Sequence, residues 1–237
     1  MHPGFSLFGA AHISILAAVP AVAVVLSFLH QRFLTGGKII RLSIAGVLIA
    51  EKAIYYSWEI KSHTLRFPDQ MPFQLCDASM VLVVLCLLFL RPILFDLAYY
   101  WALAGASMAL LTPDIREPLM SIVTLQFFVS HGMTVIGVLY LLWSGQARPR
   151  SWSVARAMIA VNLFAALVGL FDGLYGTNYF YLRSKPADPS LLDFLGPWPF
   201  YIASAEVVAL ILFLLLYLPF RHGLGSAQQG RWSRARA

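Results

Sequence analysis

Charged residues are scarce in this chain. Asp, Glu, Lys and Arg together make up 12% of its 237 residues, against roughly 25% in soluble domains. Hydrophobic residues account for 59%, and they form repeated runs of about 18–25 residues, long enough to cross a hydrocarbon core roughly 30 Å thick. A soluble fold of this length could not bury so much apolar surface. The composition therefore predicts an all-α polytopic membrane protein.

Cysteine and the common cofactor motifs are also scarce. The two cysteines, Cys76 and Cys86, lie on one predicted helix about 15 Å apart along its axis, too far for a disulfide bond. The sequence has no HxxxH, HExxH or GxxxxGK[ST] pattern, and its last apolar run has no lysine for a retinal Schiff base. We therefore expect no metal and no cofactor, and membrane lipids rather than nucleic acid as partners.

Turn signals divide the apolar sequence into a predicted bundle of seven transmembrane helices. Gly, Pro and Asp cluster at the breaks, as in Phe67-Pro68-Asp69 and Thr112-Pro113-Asp114. We expect one transmembrane domain over 1–220 and a basic cytoplasmic tail over 221–237. The predicted segments are 8–30, 38–60, 72–90, 93–112, 119–143, 151–175 and 197–220.

The distribution of Lys and Arg predicts the orientation, because cytoplasmic loops carry an excess of these residues. One set of loops, with the tail, holds Arg32, Lys38, Arg91, Arg148, Arg150, Arg221, Arg231, Arg234 and Arg236. The opposite set holds Lys61, Arg66, Arg116, Arg183 and Lys185. The N-terminus is therefore expected outside and the C-terminus in the cytoplasm.

Ionisable side chains within the predicted spans are candidates for function, because they are costly in lipid. Some have structural alternatives. Glu51 and Lys52 could pair with other helices, Glu206 could be a neutral, hydrogen-bonded carboxyl, and Asp96 could be interfacial. Asn162, with three glycines at helical spacing, could form a face for close helix packing. The ionisable residues are His12, Glu51, Lys52, Cys76, Asp77, Asp96, His131, Asp172 and Glu206.

The stretch MPFQLCDASM places Gln74, Cys76 and Asp77 at the start of the third predicted helix. With Pro72 in the first turn, the free N–H groups of the helix start would favour a thiolate at Cys76. An ionised Asp77 would oppose it. His131 is the candidate base, although it would lie about 18 Å deep and Cys76 about 6 Å deep. Direct contact between the two is left open.

The same stretch resembles the "LPLHLC" signature of the YwaF-type integral membrane family. Three further stretches are similar to that family: ALLTPD from Ala109, FVSHG from Phe128, and the connection from Gly176 to Tyr201. The family is similar to a eukaryotic transmembrane acyltransferase that remodels ether phospholipids through a cysteine. The resemblance implies that Cys76 carries the acyl group, that His131 is the base, and that the protein lies in a bacterial cytoplasmic membrane.

One departure from the family pattern concerns position 74. Family members often have His two residues before the cysteine, and this chain has Gln74. A base at that position is lost, but Gln74 could donate a hydrogen bond to an oxyanion. In the long outer connection, Asn178, Tyr179 and Tyr181 would cap the bundle, and Arg183 and Lys185 would lie near a lipid phosphate. The alternative is an aromatic interfacial belt.

Three functions are compatible with these patterns. The first is a lipid acyltransferase or ester or thioester hydrolase acting on an acyl-bearing phospholipid, with Cys76, His131 and Gln74 as catalytic residues and Asp77 contacting the substrate. The second is a transporter or receptor-like binding protein without covalent chemistry. Its cavity would be lined by Glu51, Asp172, Glu206 and His131. The third is a purely structural subunit, and the oligomeric state is left open.

Overall fold

The computed structural model describes residues 5–33, 36–115, 117–186 and 190–221. Within these ranges all regular structure is helical, and a helix forms in each of the seven predicted segments. The largest differences in their bounds are three residues, as at the third helix, which begins at Leu75 rather than at 72. The helices are α1 Ala10–Arg32, α2 Gly37–Lys61, α3 Leu75–Phe89, α4 Pro92–Leu111, α5 Ile122–Trp143, α6 Ser153–Tyr175 and α7 Phe200–Tyr217.

Five of these helices, α1, α4, α5, α6 and α7, are long and apolar enough to cross a membrane. Helix α3 is apolar but has 15 residues, about 22 Å of rise. Helix α2 has 25 residues, but its sequence includes several charged side chains. The structure is thus an all-α membrane protein with five candidate spans among the described residues. The predicted basic tail lies outside those residues beyond Arg221.

Helix α5 lies at the centre of the bundle and packs against α1, α2, α3 and α4. Its contact with α3 depends on Gly137, where a Cβ atom would lie 2.8 Å from Val83 Cγ1. Real Cβ atoms do not approach that closely, so a larger residue would push the two helices apart. The close approach sets the relative position of the two helices that carry Cys76 and His131.

Helices α6 and α7 form an outer layer on α4. The indole Nε1 of Trp101 donates to the Ala157 carbonyl of α6 (3.3 Å), and the ring of Tyr100 packs against Phe213 of α7 at 5.0 Å between centroids. In an apolar stretch of 18 residues taken from each helix, 17% is buried in α6 and 11% in α7, against 50% in α4 and in α5. Both outer helices therefore present most of their surface to the surroundings of the bundle.

The start of α3 differs from the sequence prediction. Gln74 is extended (φ −72°, ψ 152°) and precedes the helix, so Pro72 lies outside the first turn. The first helical hydrogen bond runs from Ala78 N–H to the Gln74 carbonyl (3.2 Å). Opposite this start, α4 widens into a π-helical turn, Trp101–Ala106, and a Cβ atom at Gly105 would lie 3.4 Å from Leu75 Cδ2.

The opposite end of the bundle is held by a buried ionic cluster. Asp96, expected near the membrane interface, lies close to the start of α4, and its side chain is fully buried within the protein. It accepts hydrogen bonds from the Arg150 guanidinium (2.6 Å) and from the Arg156 guanidinium (2.8 Å). Two cations offset the cost of burying this carboxylate. The cluster ties α4 to the connection that precedes α6 and to the first turns of α6.

Candidate functional site

The predicted site residues at the start of α3 meet parts of α2, α5 and the segment after α6 at one end of the bundle. Cys76 is the second residue of α3 and is half-buried. Among the described residues, no backbone carbonyl and no capping side chain accepts a hydrogen bond from the backbone N–H groups of Leu75, Cys76 and Asp77, and those of Cys76 and Asp77 lie close to the Cys76 sulfur. Free N–H groups at a helix start attract negative charge. The thiol therefore lies beside unused donors.

Gln74 is held by the segment that follows α6. Its Oε1 accepts the backbone N–H of Phe180 (3.1 Å), while its Nε2 makes no hydrogen bond to a described residue. Phe180 and the next residue, Tyr181, both have left-handed backbone conformations, with φ of 59° and 54°, which are uncommon for bulky residues. This conformation delivers the Phe180 N–H to Gln74. The amide nitrogen of Gln74 remains available as a donor.

Asp77 forms an ion pair with Lys52 of α2, at 2.7 Å between Nζ and Oδ1. Both side chains are largely buried, with exposed fractions of 18% for Lys52 and 15% for Asp77. The ammonium also lies 5.9 Å from the ring centroid of Tyr56. The predicted substrate contact of Asp77 thus coexists with an ion pair inside the protein. That pair places a cation close to Cys76.

Glu51 faces α5. Its Oε2 accepts a hydrogen bond from Gln126 Nε2 (3.0 Å). Its Oε1 is buried and has no hydrogen-bond partner among the described residues. An unpaired buried oxygen is costly, so this atom marks a polar position with unused capacity beside the Lys52–Asp77 pair.

His131 of α5 is 8% exposed and stacks on Phe127 with ring centroids 4.1 Å apart. Its Nδ1 lies 2.8 Å from the Phe127 carbonyl oxygen. Because a carbonyl only accepts, Nδ1 carries the proton, and Nε2 of the neutral ring has a free lone pair. Lys52 and Asp77 are close enough to act on His131 electrostatically. Nε2 of His131 can therefore accept a proton.

Cys76 and His131 do not form a hydrogen bond in the structure. Ser130 Oγ lies 3.7 Å from Met80 Sδ, which places this part of α5 level with the second turn of α3. His131 is therefore deeper than Cys76 by roughly one helical turn, or about 6 Å. This offset is smaller than the difference of about 12 Å in the predicted depths. The Lys52–Asp77 pair lies within electrostatic range of both residues.

Tyr179 fastens two loops together above the site. Its hydroxyl donates to the Pro68 carbonyl (2.7 Å) and accepts the Met71 N–H (2.7 Å). Its own N–H donates to Oδ1 of the fully buried Asp172 (3.0 Å). Burial raises the pKa of the Tyr179 phenol, and the Met71 N–H partly opposes this. Both residues thus have structural contacts that hold the segment before α3.

Asn178 and Arg183, which were predicted to contact the substrate, also have contacts within their own loop. Asn178 Oδ1 accepts the N–H groups of Arg183 (3.0 Å) and Ser184 (3.1 Å). The Arg183 guanidinium donates to the carbonyls of Asp172 and Thr177, at 3.3 and 3.4 Å. Because α6 ends beside these carbonyls, Arg183 caps that end. Its guanidinium is exposed and retains further donors for another ligand.

Tyr181 lies close to the nucleophile candidate. Burial raises the pKa of its phenol, and the nearby Asp114 and Cys76 raise it further. Its carbonyl accepts the Tyr201 hydroxyl of α7. Tyr181 is therefore a neutral hydrogen-bond donor within electrostatic range of Cys76.

Two predicted polar residues lie apart from this group. Glu206 bonds to Asn162 across α6 and α7 (2.9 Å), on the outside of the bundle. His12 is fully buried, and both ring nitrogens are used: Nδ1 accepts the Phe8 N–H (3.0 Å) and Nε2 donates to the Leu110 carbonyl (2.8 Å). His12 is thus a structural histidine. Glu206 does not join Glu51 and His131 in one cavity.

Sequence reasoning missed three features of the site: the ionic partner of Asp77, the clamp made by Tyr179, and the π-helical turn of α4. The small-residue stretch WALAGA was the one available signal for the turn. The described residues contain no group of three or more His, Cys, Asp or Glu side chains that could hold a metal ion.

Comparisons with known proteins place this sequence in a family. A family model described as the TMEM164 family matches residues 7–217. A relative from Treponema pallidum (strain Nichols), named "Uncharacterized protein", is 26% identical over 230 residues, which cover 96% of this chain and 93% of the relative. No solved structure matches the chain. The family match includes every residue of the site described above.

Proposed function

The chain belongs to the TMEM164 family, a membrane family, and from this membership and the geometry of the site we propose that it is a membrane-embedded lipid acyltransferase, or a lipid-ester or thioester hydrolase, with Cys76 as the nucleophile. The resemblance to the YwaF-type family and its acyltransferase relative supports the same chemistry. The substrate is an acyl-bearing phospholipid that enters from the bilayer. The proposed location is a bacterial cytoplasmic membrane, and the relative from Treponema pallidum supports a bacterial setting.

In the first step the sulfur of Cys76 attacks the ester carbonyl carbon of the lipid. The thiol proton passes to His131 Nε2, and the negative charge develops on the carbonyl oxygen. Gln74 Nε2 and the free N–H groups of the α3 start stabilise that oxyanion. The ester C–O bond then breaks, the alkoxide of the lysolipid takes the proton from His131, and an S-acyl cysteine remains.

In the second step a lysolipid hydroxyl or a water molecule attacks the thioester carbonyl. His131 Nε2 takes its proton and returns it to the departing Cys76 sulfur. Because the two side chains are offset by about one turn, the proton passes between them through a bridging hydroxyl, which a water molecule supplies in the first step and the acceptor or a water molecule supplies in the second. The products are a new acyl ester or a free fatty acid.

The observation that carries the proposal is the set of unused donors around a half-buried cysteine. Among the described residues, the backbone N–H groups of Leu75, Cys76 and Asp77 donate to no backbone carbonyl and to no capping side chain, and Gln74 Nε2 has no partner. Cys86, by contrast, is buried among apolar side chains in the interior of α3. The two cysteines on one helix thus differ in the hydrogen-bond donors near them, and Cys86 serves as the matched control.

The first experiment is intact-protein mass spectrometry of the protein purified from membranes, before and after neutral hydroxylamine. We expect a fatty-acyl mass on Cys76 that hydroxylamine removes, in the wild type and in Cys86→Ala but not in Cys76→Ala. Turnover of phospholipid esters by purified protein in liposomes should fall at least 1,000-fold in Cys76→Ala, roughly as for other nucleophile deletions. Cys86→Ala should retain it.

Two outcomes would contradict the proposal. Cys76→Ala protein that retains full turnover excludes a cysteine nucleophile. A stable acyl group that does not turn over indicates simple S-acylation.

If both cysteines remain unmodified and no ester is turned over, the transporter or binding alternative gains support. Its specific support in the structure is the cluster of Glu51, Lys52, Asp77 and His131, and its test is substrate-dependent proton flux in proteoliposomes.

A further inference from the structure

A polar pair lies on the outside of the bundle, in the middle of the outer helices. Asn162 lies roughly midway along α6 and is exposed. It donates to Oε2 of Glu206 on α7 at 2.9 Å. Exposed apolar side chains surround the pair: Ile159 is 61% exposed, Leu163 63% and Val207 57%. An amide and a carboxyl on the surface of two candidate membrane spans would face lipid, where polar groups are costly.

The hydrogen-bonding capacity of the pair is only partly used. An Asn amide has two N–H donors, and both are occupied, by the Met158 carbonyl (3.0 Å) and by Glu206 (2.9 Å). Asn162 Oδ1 and Glu206 Oε1 make no hydrogen bond to a described residue. A carboxyl that faces lipid costs less in its neutral form than as an anion, and the neutral form carries one O–H donor. In that form one molecule offers one acceptor and, at Glu206, one donor.

This remaining capacity is self-complementary. In a two-fold arrangement, the Glu206 O–H of each molecule would donate to Asn162 Oδ1 of the other, so every polar atom of both pairs would be used. A two-fold interface requires such reciprocal contacts between identical patches. Ala166, one turn from Asn162, is also exposed, and a Cβ atom at Gly173 would meet nothing within 4 Å. Small residues on this face allow close helix approach in lipid.

We propose that the exposed face formed by Asn162, Ala166 and Gly173 of α6 together with Glu206 of α7 is the interface through which two copies of this chain associate in the membrane. Only 17% of the apolar stretch of α6 and 11% of that of α7 is buried in the protein, so this face is free to contact a second molecule. The proposal is independent of the chemistry at Cys76, because the pair makes no contact with that site.

The first test is disulfide cross-linking in native membranes. In a Cys76→Ala, Cys86→Ala chain, a cysteine at Ala166 should give a dimer band under copper phenanthroline. A cysteine at Val25 on α1, which is 55% exposed, is the matched control and should give at least 10-fold less. Equal cross-linking at the two positions, or none at Ala166, would overturn the proposal.

The second test measures association by single-molecule photobleaching of labelled protein in liposomes. Glu206→Leu should lower the dimer fraction so that at least 10-fold more protein is needed for half association. Glu206→Gln keeps a donor and should retain the dimer. Unchanged association in Glu206→Leu would overturn the proposal. A monomeric wild type would also overturn the proposal. This includes the case in which native mass spectrometry shows a different co-purifying protein or a lipid adduct on the monomer.

Discussion

Gln74 stands where the YwaF-type signature that this stretch resembles often has His, and in the structure its side chain makes one contact and leaves one donor free. Its Oε1 accepts the Phe180 N–H, which orients the side chain, and its Nε2 is then the free donor beside Cys76. A histidine at this position could supply a base, whereas glutamine can only donate and accept. In the proposed mechanism, proton transfer therefore falls to His131 and oxyanion binding to Gln74.

Substitution of Gln74 can separate the Phe180 contact from the free donor. Gln74→Glu keeps an acceptor for Phe180 but removes the donor, and we expect kcat to fall about 100-fold, as for loss of one oxyanion donor. Gln74→Leu removes both the acceptor and the donor and should also increase hydrogen exchange at Phe180. Lipid turnover and exchange mass spectrometry measure the two effects. Full activity of Gln74→Glu would exclude Gln74 from the oxyanion site.

The Lys52–Asp77 pair is expected to contribute to stability mainly by compensating two buried charges. Lys52→Met leaves Asp77 without a cation and should destabilise the protein by about 3 kcal/mol. The double change Lys52→Met with Asp77→Leu removes both charges and should recover most of that loss. Thermal unfolding in detergent, analysed as a double-mutant cycle, measures the coupling. Additive effects would show that the two charges do not interact.

Among the elements, the segment before α3 depends on contacts from the distant segment after α6. The stretch from Pro68 to Gln74 is bonded at Pro68 and Met71 by the Tyr179 hydroxyl, and at Gln74 by Phe180. Contacts from outside the helix thus fix the start of α3, which no side chain caps. A loop fixed in this way can present free N–H groups that a local cap would otherwise occupy.

Removal of the Tyr179 hydroxyl should loosen that segment. Tyr179→Phe loses two hydrogen bonds and should lower local stability by about 1–2 kcal/mol, with faster hydrogen exchange over 68–76 and lower lipid turnover. Tyr175→Phe is the matched control, because Tyr175 packs against Phe67 and Phe171 through its ring alone. Equal exchange in the two variants would contradict the role of Tyr179 as a clamp.

The helices could be predicted from the sequence, because turn residues mark their ends independently of the tertiary structure. Pro92 and Gly176 begin and end helices near the predicted positions. The contacts of the site could not be predicted in this way. The pairing of Lys52 with Asp77 and the level of His131 depend on how deep each helix sits. Hydropathy does not report the depth of a helix, because that depth is set by packing such as that of Gly137 against Val83.

For the whole molecule, the open question is whether α2 and α3 cross the bilayer with the five more apolar helices. The charges of α2 lower its hydropathy, yet several point into the bundle. Arg41 donates to the Leu87 carbonyl (2.6 Å), Glu51 accepts from Gln126 (3.0 Å), and Lys52 pairs with Asp77 (2.7 Å). Polar side chains that face other helices are compatible with a membrane span. We therefore expect seven spans.

Labelling of single cysteines can test this topology. In a Cys76→Ala, Cys86→Ala chain, cysteines replace three exposed residues, Phe67 (62%), Trp152 (78%) and Phe194 (87%). With seven spans and the N-terminus outside, an impermeant maleimide should label positions 67 and 194 in intact cells, and position 152 only after permeabilisation. If α2 and α3 instead dip in from the cytoplasm without crossing, position 67 should stay unlabelled while 194 reacts. Labelling at position 152 alone in intact cells would show the opposite orientation. The Lys and Arg excess near the α5–α6 connection would then lie outside, against the usual cytoplasmic location of such residues.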